Sequence, residues 1–359
     1  MSTDISGLKA AFDIVGEPAA VADMGRIAYM NPPAVRLAGR DFSGEPAASL
    51  LPPHVLNCQA ADFVTGAVIC GVGCALRANS ICGVTVYVFT PEEEVSAQGL
   101  FAAVPALRSE LLDLKLASDR IVSMAASSGD ERFGQYSAIL SHSYYQLKRL
   151  VQNISVIDGL SGDTLPFSPQ ALDVSALCSD LVSAVAPFAS RSGIELVFQG
   201  SGRADAPADS ELIELMVLNL LSNSLMHTPS GGWVKLSVSD YAGGVMIAVD
   251  DSGSGIDPEI MKDIFSRWHR TLSLTEMSDG PGLGLAIARG IAEKHGGALI
   301  IESRPGSGAS VRASLSRELY SDRLFRAPEK AYSAKGMDLI LTQLSQWLPP
   351  EGYAYKYDD

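Results

Sequence analysis

The sequence predicts an α+β chain of several domains: an N-terminal α/β domain, an antiparallel helical hairpin and a C-terminal α/β sandwich. Three observations lead there. Short alternating segments fill residues 5–92, and two long apolar stripes at helical spacing lie between 101 and 160. Residues 209–300 then run helix, strand pair, glycine turn, loop, glycine turn, helix. The expected boundaries are 1–92, 93–162, 163–316 and 317–359.

In the first domain, residues 15–39 give a strand, a turn at Asp23-Met24-Gly25, a second strand and a helix begun by Asn31-Pro32. Residues 74–90 alternate as two antiparallel strands with a turn near Asn79 or Gly83. Cys58 and Cys70 read as buried small hydrophobes and His54 as a loop histidine, so no tightly bound cofactor is expected there.

A polar connection at 93–99 leads into the hairpin. Apolar residues at 104, 107, 111, 114, 121 and 125 form one stripe with a break at Ser118, residues 127–130 turn the chain, and a second stripe follows at 136, 140, 147, 150, 154 and 157. Both stripes need covering, and a second copy would cover them as a dimeric four-helix bundle; a plain interaction coiled coil would carry the same pattern.

Asp173-Val174-Ser175 starts a helix over 176–190, and residues 193–198 read as a strand. In the helix from Asp209 to Thr228, apolar residues at 212, 215, 216, 220 and 221 place Asn219 and Asn223 four apart on one face. Pro229-Ser230-Gly231-Gly232 stops that helix, and residues 233–239 and 245–250 pair as antiparallel strands around Tyr241-Ala242-Gly243-Gly244. Residues 308–315 make the last strand. Beyond it, Lys335 to Leu348 is an amphipathic helix before Pro349-Pro350, expected to dock in cis, with partner binding as the alternative.

The chemistry follows from residue types. A carboxylate at a strand end, Asp251, can accept from the amino group of a flat heterocycle while Gly253 and Gly255 let backbone approach it. Gly280, Gly282 and Gly284 at a helix start leave free N–H groups and the positive dipole end for phosphate. An asparagine oxygen on the facing helix suits Mg²⁺. In this order within about ninety residues they describe an ATP site.

These motifs resemble the ATP-binding domain of sensor histidine kinases, in the wider group with gyrase, Hsp90 and MutL ATPases. Residues 219–228 look like the N box, 251–255 the first glycine box, 264–270 the F box and 280–285 the second glycine box. The resemblance implies that Asn223 ligates Mg²⁺, that Asp251 recognises adenine and that residues 266–284 form a lid. His227, Gly253, Gly255, Ile256, Arg270, Gly280, Gly282, Leu283, Gly284 and Leu285 would complete the nucleotide site. Kinases of this kind carry Lys or Arg where Met226 stands, so Lys235, Arg267 and Arg270 become candidate substitutes. Hydrolases of the group place a glutamate at the position of Asn219 to activate water; an amide cannot take that proton, so transfer to a protein group is expected.

Residues 5–92 look like a PAS domain, and the hairpin is similar to the dimerisation and phosphotransfer domain of these kinases. Aligning Phe101 with the phenylalanine of that family's first helix puts Pro105 at its serine, Ala106 at its phosphoacceptor histidine and Leu107 at its acidic residue. His142, after Ser141, is the other candidate acceptor, but its segment better resembles the second helix. The resemblance implies a homodimeric two-component kinase acting through a response regulator receiver domain, or an acceptor-less relative that binds ATP and regulates a phosphorelay partner.

Composition sets limits. With 359 residues, 47% hydrophobic and 19% charged, the chain can bury real cores, and a net charge of −14 argues against nucleic acid as a direct ligand. Five cysteines without a C-x-x-C pair read as reduced thiols. No signal peptide or membrane span is expected, which implies a cytoplasmic protein.

Overall fold

The computed structural model describes residues 17–58, 62–81, 84–91, 98–126, 131–200, 202–241, 243–257, 261, 282–318 and 334–357. Its main element is a ten-stranded sheet in the order β2-β1-β5-β4-β3-β11-β12-β10-β9-β7. The first five strands in that order come from the N-terminal domain: β1 (Ala19–Asp23), β2 (Arg26–Met30), β3 (Asp62–Ile69), β4 (Val72–Ile81) and β5 (Val84–Pro91). The tight β1–β2 connection has Met24 and Gly25 both at positive φ, the geometry that a two-residue hairpin needs. Asn31 then caps α1 (Pro32–Ala38), accepting from Ala34 N at 3.0 Å, and the same oxygen accepts from Ala19 N at 2.9 Å. One amide thus starts the helix and ties it to β1. A short helix α2 (Pro53–Leu56) carries His54, which is therefore not on a loop, and Cys70, expected to be buried, is exposed. Asn79 lies within β4, paired with Asp62 on one side and Val86 on the other, so the chain does not turn there. Gly83, the other turn candidate, lies outside the described residues.

The hairpin consists of α3 (Gln98–Ala126) and α4 (Glu131–Ser161). Helix α3 runs through Ser118, which is buried and interrupts only the apolar stripe. Leu107, Leu114 and Ile121 of the first stripe are exposed in the single chain, as are the adjacent Leu112 and Leu116. The second stripe divides: Tyr136 and Leu147 are exposed, whereas Ile154 and Ile157 are buried within the chain.

The rest of the sheet comes from β7 (Glu195–Gly200), β9 (Trp233–Tyr241), β10 (Gly244–Asp251), β11 (Leu299–Ser303) and β12 (Ala309–Ser316). Strand β7 runs parallel to β9; the other pairs here are antiparallel. Three helices pack on these strands: α5 (Val174–Arg191), α6 (Ser210–His227) and α7 (Gly282–Lys294). Asp173 caps α5 and Asp209 caps α6 through their carboxylate oxygens. A separate small sheet pairs β6 (Gln170–Asp173) with β8 (Asp205–Ala208).

The two halves of the large sheet meet where β3 pairs with β11 at Thr65–Ile300 and Val64–Ile301. Thr65 Oγ1 also donates to Leu299 O at 2.8 Å. The last helix, α8 (Ala334–Gln343), is shorter than expected. After Gln343 it tightens into a 3₁₀ turn, Leu344–Gln346; the α-helical partner of Ser345 O would be Pro349, which has no N–H, and this carbonyl instead accepts from His142 Nε2 at 3.0 Å and from Gln146 Nε2. A second 3₁₀ segment, Pro350–Tyr357, returns along α4. The C-terminal segment therefore docks in cis, against α4 and α6 together. A single core runs from Tyr145 and Ile157 of α4, through Leu181, Met216 and Ile247, to Ile340, Leu344 and Tyr353.

Candidate nucleotide site

Helix α6 is apolar almost all round because it is buried between the sheet and its helical neighbours. Asn219 and Asn223 are the exceptions that matter. Asn219 is fully buried; its Nδ2 donates to Leu215 O at 2.9 Å, the bond a polar residue makes within its own helix. Asn223 Nδ2 is buried with no hydrogen-bond partner among the described residues. Facing them is the first turn of α7: a Cβ on Gly284 would stand 3.0 Å from Asn219 Oδ1, 3.5 Å from Asn223 Nδ2 and 3.6 Å from its Oδ1. Any larger residue at 284 would fill the gap between the two helices.

At the end of β10, Asp251 is buried, and its Oδ1 accepts from Gly253 N at 3.0 Å and Ala309 N at 3.1 Å. Those two bonds fix the carboxyl plane and leave Oδ2 to accept from a ligand donor. The glycines are required by close backbone. A Cβ on Gly253 would approach His227 O to 2.5 Å, and one on Gly255, at φ +70°, would approach Arg304 O to 2.1 Å. Ile256 N donates to Ser303 Oγ, and Ile256 and Leu283 are half-buried against the main core, as apolar walls of a planar ligand would be. Leu285 is buried outright. His227 is exposed at the last turn of α6 and offers its carbonyl to the packing around Gly253.

The structure brings together Asn219, Asn223 and Gly284 in one cluster and sets Asp251, Gly253 and His227 in another at the far end of α6. Lys235 does not join them. It sits on the opposite face of β9 from the buried Val234 and Leu236, pairs with Asp250 at 3.1 Å and leans over Trp233. Arg267, Arg270 and Gly280, with most of the 266–284 segment, lie outside the described residues. Ala106 is exposed on α3 and has no side chain able to accept phosphate. His142 is half-buried, its Nε2 committed to Ser345 O and its ring 5.4 Å from that of Tyr353.

A residue absent from the sequence reading enters from the hairpin. Arg149 of α4 donates Nη2 to Asn219 Oδ1 at 3.5 Å and Nη1 to Gln346 Oε1. Burial lowers its pKa to about 10. Nothing in local spacing could have found it, since it lies seventy residues before Asn219.

As for Mg²⁺, the uncommitted Asn223 Oδ1 is the kind of hard oxygen the ion accepts. The described residues hold no group of three His, Cys, Asp or Glu able to cage a metal, so phosphate oxygens and water would supply the remaining ligands.

Residues 208–319 match the family of histidine kinase-, DNA gyrase B- and HSP90-like ATPases, and that segment is an ATP-binding domain of this kind. The chain is related through it to sensor histidine kinases. It is 28% identical to histidine protein kinase DivJ of Caulobacter vibrioides over 188 residues, 52% of this chain and 31% of that one. Sensor protein IrlS of Burkholderia pseudomallei is 30% identical over 163 residues, 45% of this chain and 35% of IrlS. With adaptive-response sensory kinase SasA of Parasynechococcus marenigrum the identity is 25% over 267 residues, 67% of each. The chain thus spans only about a third of the length of the first two relatives. Among the described residues no helix is long and apolar enough to cross a membrane.

Proposed function

We propose that the protein is a sensor kinase of the two-component type that binds Mg-ATP for phosphoryl transfer to a protein histidine and onward to a response regulator receiver domain. The observation that carries this is the pair Asn219 and Asn223 facing the first turn of α7, with the braced Asp251 carboxyl at the other end of the same helix. In that arrangement Asp251 Oδ2 would accept from the adenine amino group, the α7 N–H groups would face the phosphates, and Asn223 Oδ1 would take one Mg²⁺ position. Asn219 supports transfer over hydrolysis, because its amide cannot accept a proton from water.

The domain boundaries fit the same reading. An antiparallel order β2-β1-β5-β4-β3 supports a PAS-like sensor over residues 1–92. The exposed Leu107, Leu114 and Ile121 favour a homodimeric four-helix bundle built from the 93–162 hairpin. Residues 163–316 form the catalytic unit, and 317–359 an extension. A cytoplasmic protein follows from the same picture.

One observation favours a second reading. Ala106 carries no nucleophile and the Nε2 of His142 is held by the C-terminal segment, which suits an ATP-binding regulator that docks on, or dimerises with, a phosphorylatable partner. Incubation with γ-labelled ATP and Mg²⁺ separates the two. Acid-labile label on a histidine of this chain supports the first. ATP binding without label, abolished by Asp251→Ala, with label appearing in Ala106→His, supports the second. Absence of ATP binding in the wild-type chain overturns both.

A further inference from the structure

Met226 stands where a phosphate-binding Lys or Arg is expected; of the candidate substitutes, Lys235 is paired with Asp250, and Arg267 and Arg270 lie outside the described residues. Arg149 stands beside the cluster in an unusual electrical state. It is 7% exposed, yet among the described residues it makes no salt bridge; its two hydrogen-bond partners, Gln346 and Asn219, are neutral amides. Its Nε is buried without a partner, and so is Asn223 Nδ2. Burying a guanidinium without a counter-ion is costly, and proteins retain such an arrangement where an anion compensates it. Desolvation alone lowers its pKa; the one charge-bearing group acting the other way is the Tyr353 hydroxyl, which burial keeps protonated.

The unsatisfied donors here are the Arg149 guanidinium edge and the Asn223 amide, while Asn153 Oδ1, one turn along α4, and Gln343 Oε1 are unsatisfied acceptors; the first-turn N–H groups of α7, which begins at Gly282, have no partner within their own helix. Gly284 keeps the α7 backbone close to both asparagines. A donor set with one fixed positive charge matches a phosphate oxygen, which would displace a neutral amide from the guanidinium because a charge-assisted bond is roughly twice as strong.

We propose that Arg149, supplied by the hairpin helix α4, is the cation that binds the β- and γ-phosphates of the nucleotide in the docked arrangement. This rests on the ATP-binding reading above. It adds that the nucleotide bridges two parts of the chain, so that triphosphate binding tightens the hold of the ATP-binding domain on the hairpin.

The test is equilibrium binding of ATP and of AMP, both with Mg²⁺, to the full chain and to Arg149→Gln, Arg149→Lys and Arg149→Met. Expected is a loss of at least tenfold in ATP affinity for Arg149→Gln, AMP affinity within threefold of wild type, and partial recovery of ATP binding in Arg149→Lys. Arg149→Met, apolar and of similar length, should fold at least as stably as wild type without nucleotide and share the ATP defect, so the proposal stays testable should the glutamine variant fail to fold. Wild-type ATP affinity in Arg149→Met, or equal losses for ATP and AMP, would overturn the role of Arg149 while leaving the site itself intact. A wild-type chain that binds no ATP would remove the site and this role together.

Discussion

The guanidinium of Arg289 occupies the space that a side chain on Gly66 would need: a Cβ there would stand 2.0 Å from Arg289 Nε and 2.1 Å from its Cζ. Gly66 belongs to the N-terminal sheet and Arg289 to α7, so the first domain and the nucleotide-site helix are packed in direct contact. Gly66→Val is expected to cost about 1–3 kcal/mol through this overpacking. Urea denaturation measures it, and Arg289→Ala in the same chain should recover most of the loss; additive losses would mean that the two residues do not meet in solution.

Gly284→Ala separates stability from binding. Alanine suits a helix better than glycine by about 0.5–1 kcal/mol, so the fold should hold or gain. Its methyl, 3.0 Å from Asn219 Oδ1, intrudes between the asparagines and the α7 backbone. ATP affinity measured by titration should fall about tenfold or more, the equivalent of 1.4 kcal/mol. Unchanged affinity would place the phosphates elsewhere.

Tyr353 anchors the C-terminal segment. It is buried, stacks on Tyr145 at 5.2 Å and donates its hydroxyl to Leu341 O at 3.0 Å. Tyr353→Ala is expected to destabilise by about 3–5 kcal/mol, the usual cost of removing a buried aromatic ring. It should also make the His142 ring more accessible to diethylpyrocarbonate, a modification readable by peptide mass mapping.

Acid should weaken the fold through His295. Its Nε2 accepts from Asp209 N at 3.1 Å while Nδ1–H donates to Ile291 O at 2.7 Å, an arrangement that only the neutral ring can make. Burial lowers its pKa, as it does for His54. A histidine depressed in the folded state takes up its proton more readily when unfolded, so its contribution is intact above the ordinary histidine value of about 6.5 and is lost as pH falls below it. Urea midpoints at pH 7.5, 6 and 5 should decline, and less steeply in His295→Gln. Parallel slopes would exclude His295 as a source.

Much of the architecture was legible locally. Asn31, Asp173 and Asp209 announced three helix starts because a cap acts on the next three residues, and the alternation around Ala242-Gly243 gave the β9–β10 pair. Ser118 breaks the apolar stripe without breaking the helix, whose backbone bonds continue through it. The carbonyl of Ser345, just beyond the end of α8, is bound by His142 of α4, a contact between residues 203 positions apart. At the site, the asparagine and glycine motifs were readable in order and spacing. Arg149 was not, since a lone arginine on an amphipathic helix carries no mark of what will be folded over it.

The two Cα pairs joining β3 to β11 also bear on solubility. Each strand would otherwise be the last in its own half of the sheet, with unpaired N–H and C=O groups open to any other chain. Each half guards the other. Any movement that pulls the halves apart bares two adhesive borders at once, so swings of that kind carry an aggregation hazard unless they are brief or another polypeptide strand lies ready to zip onto the vacated rim.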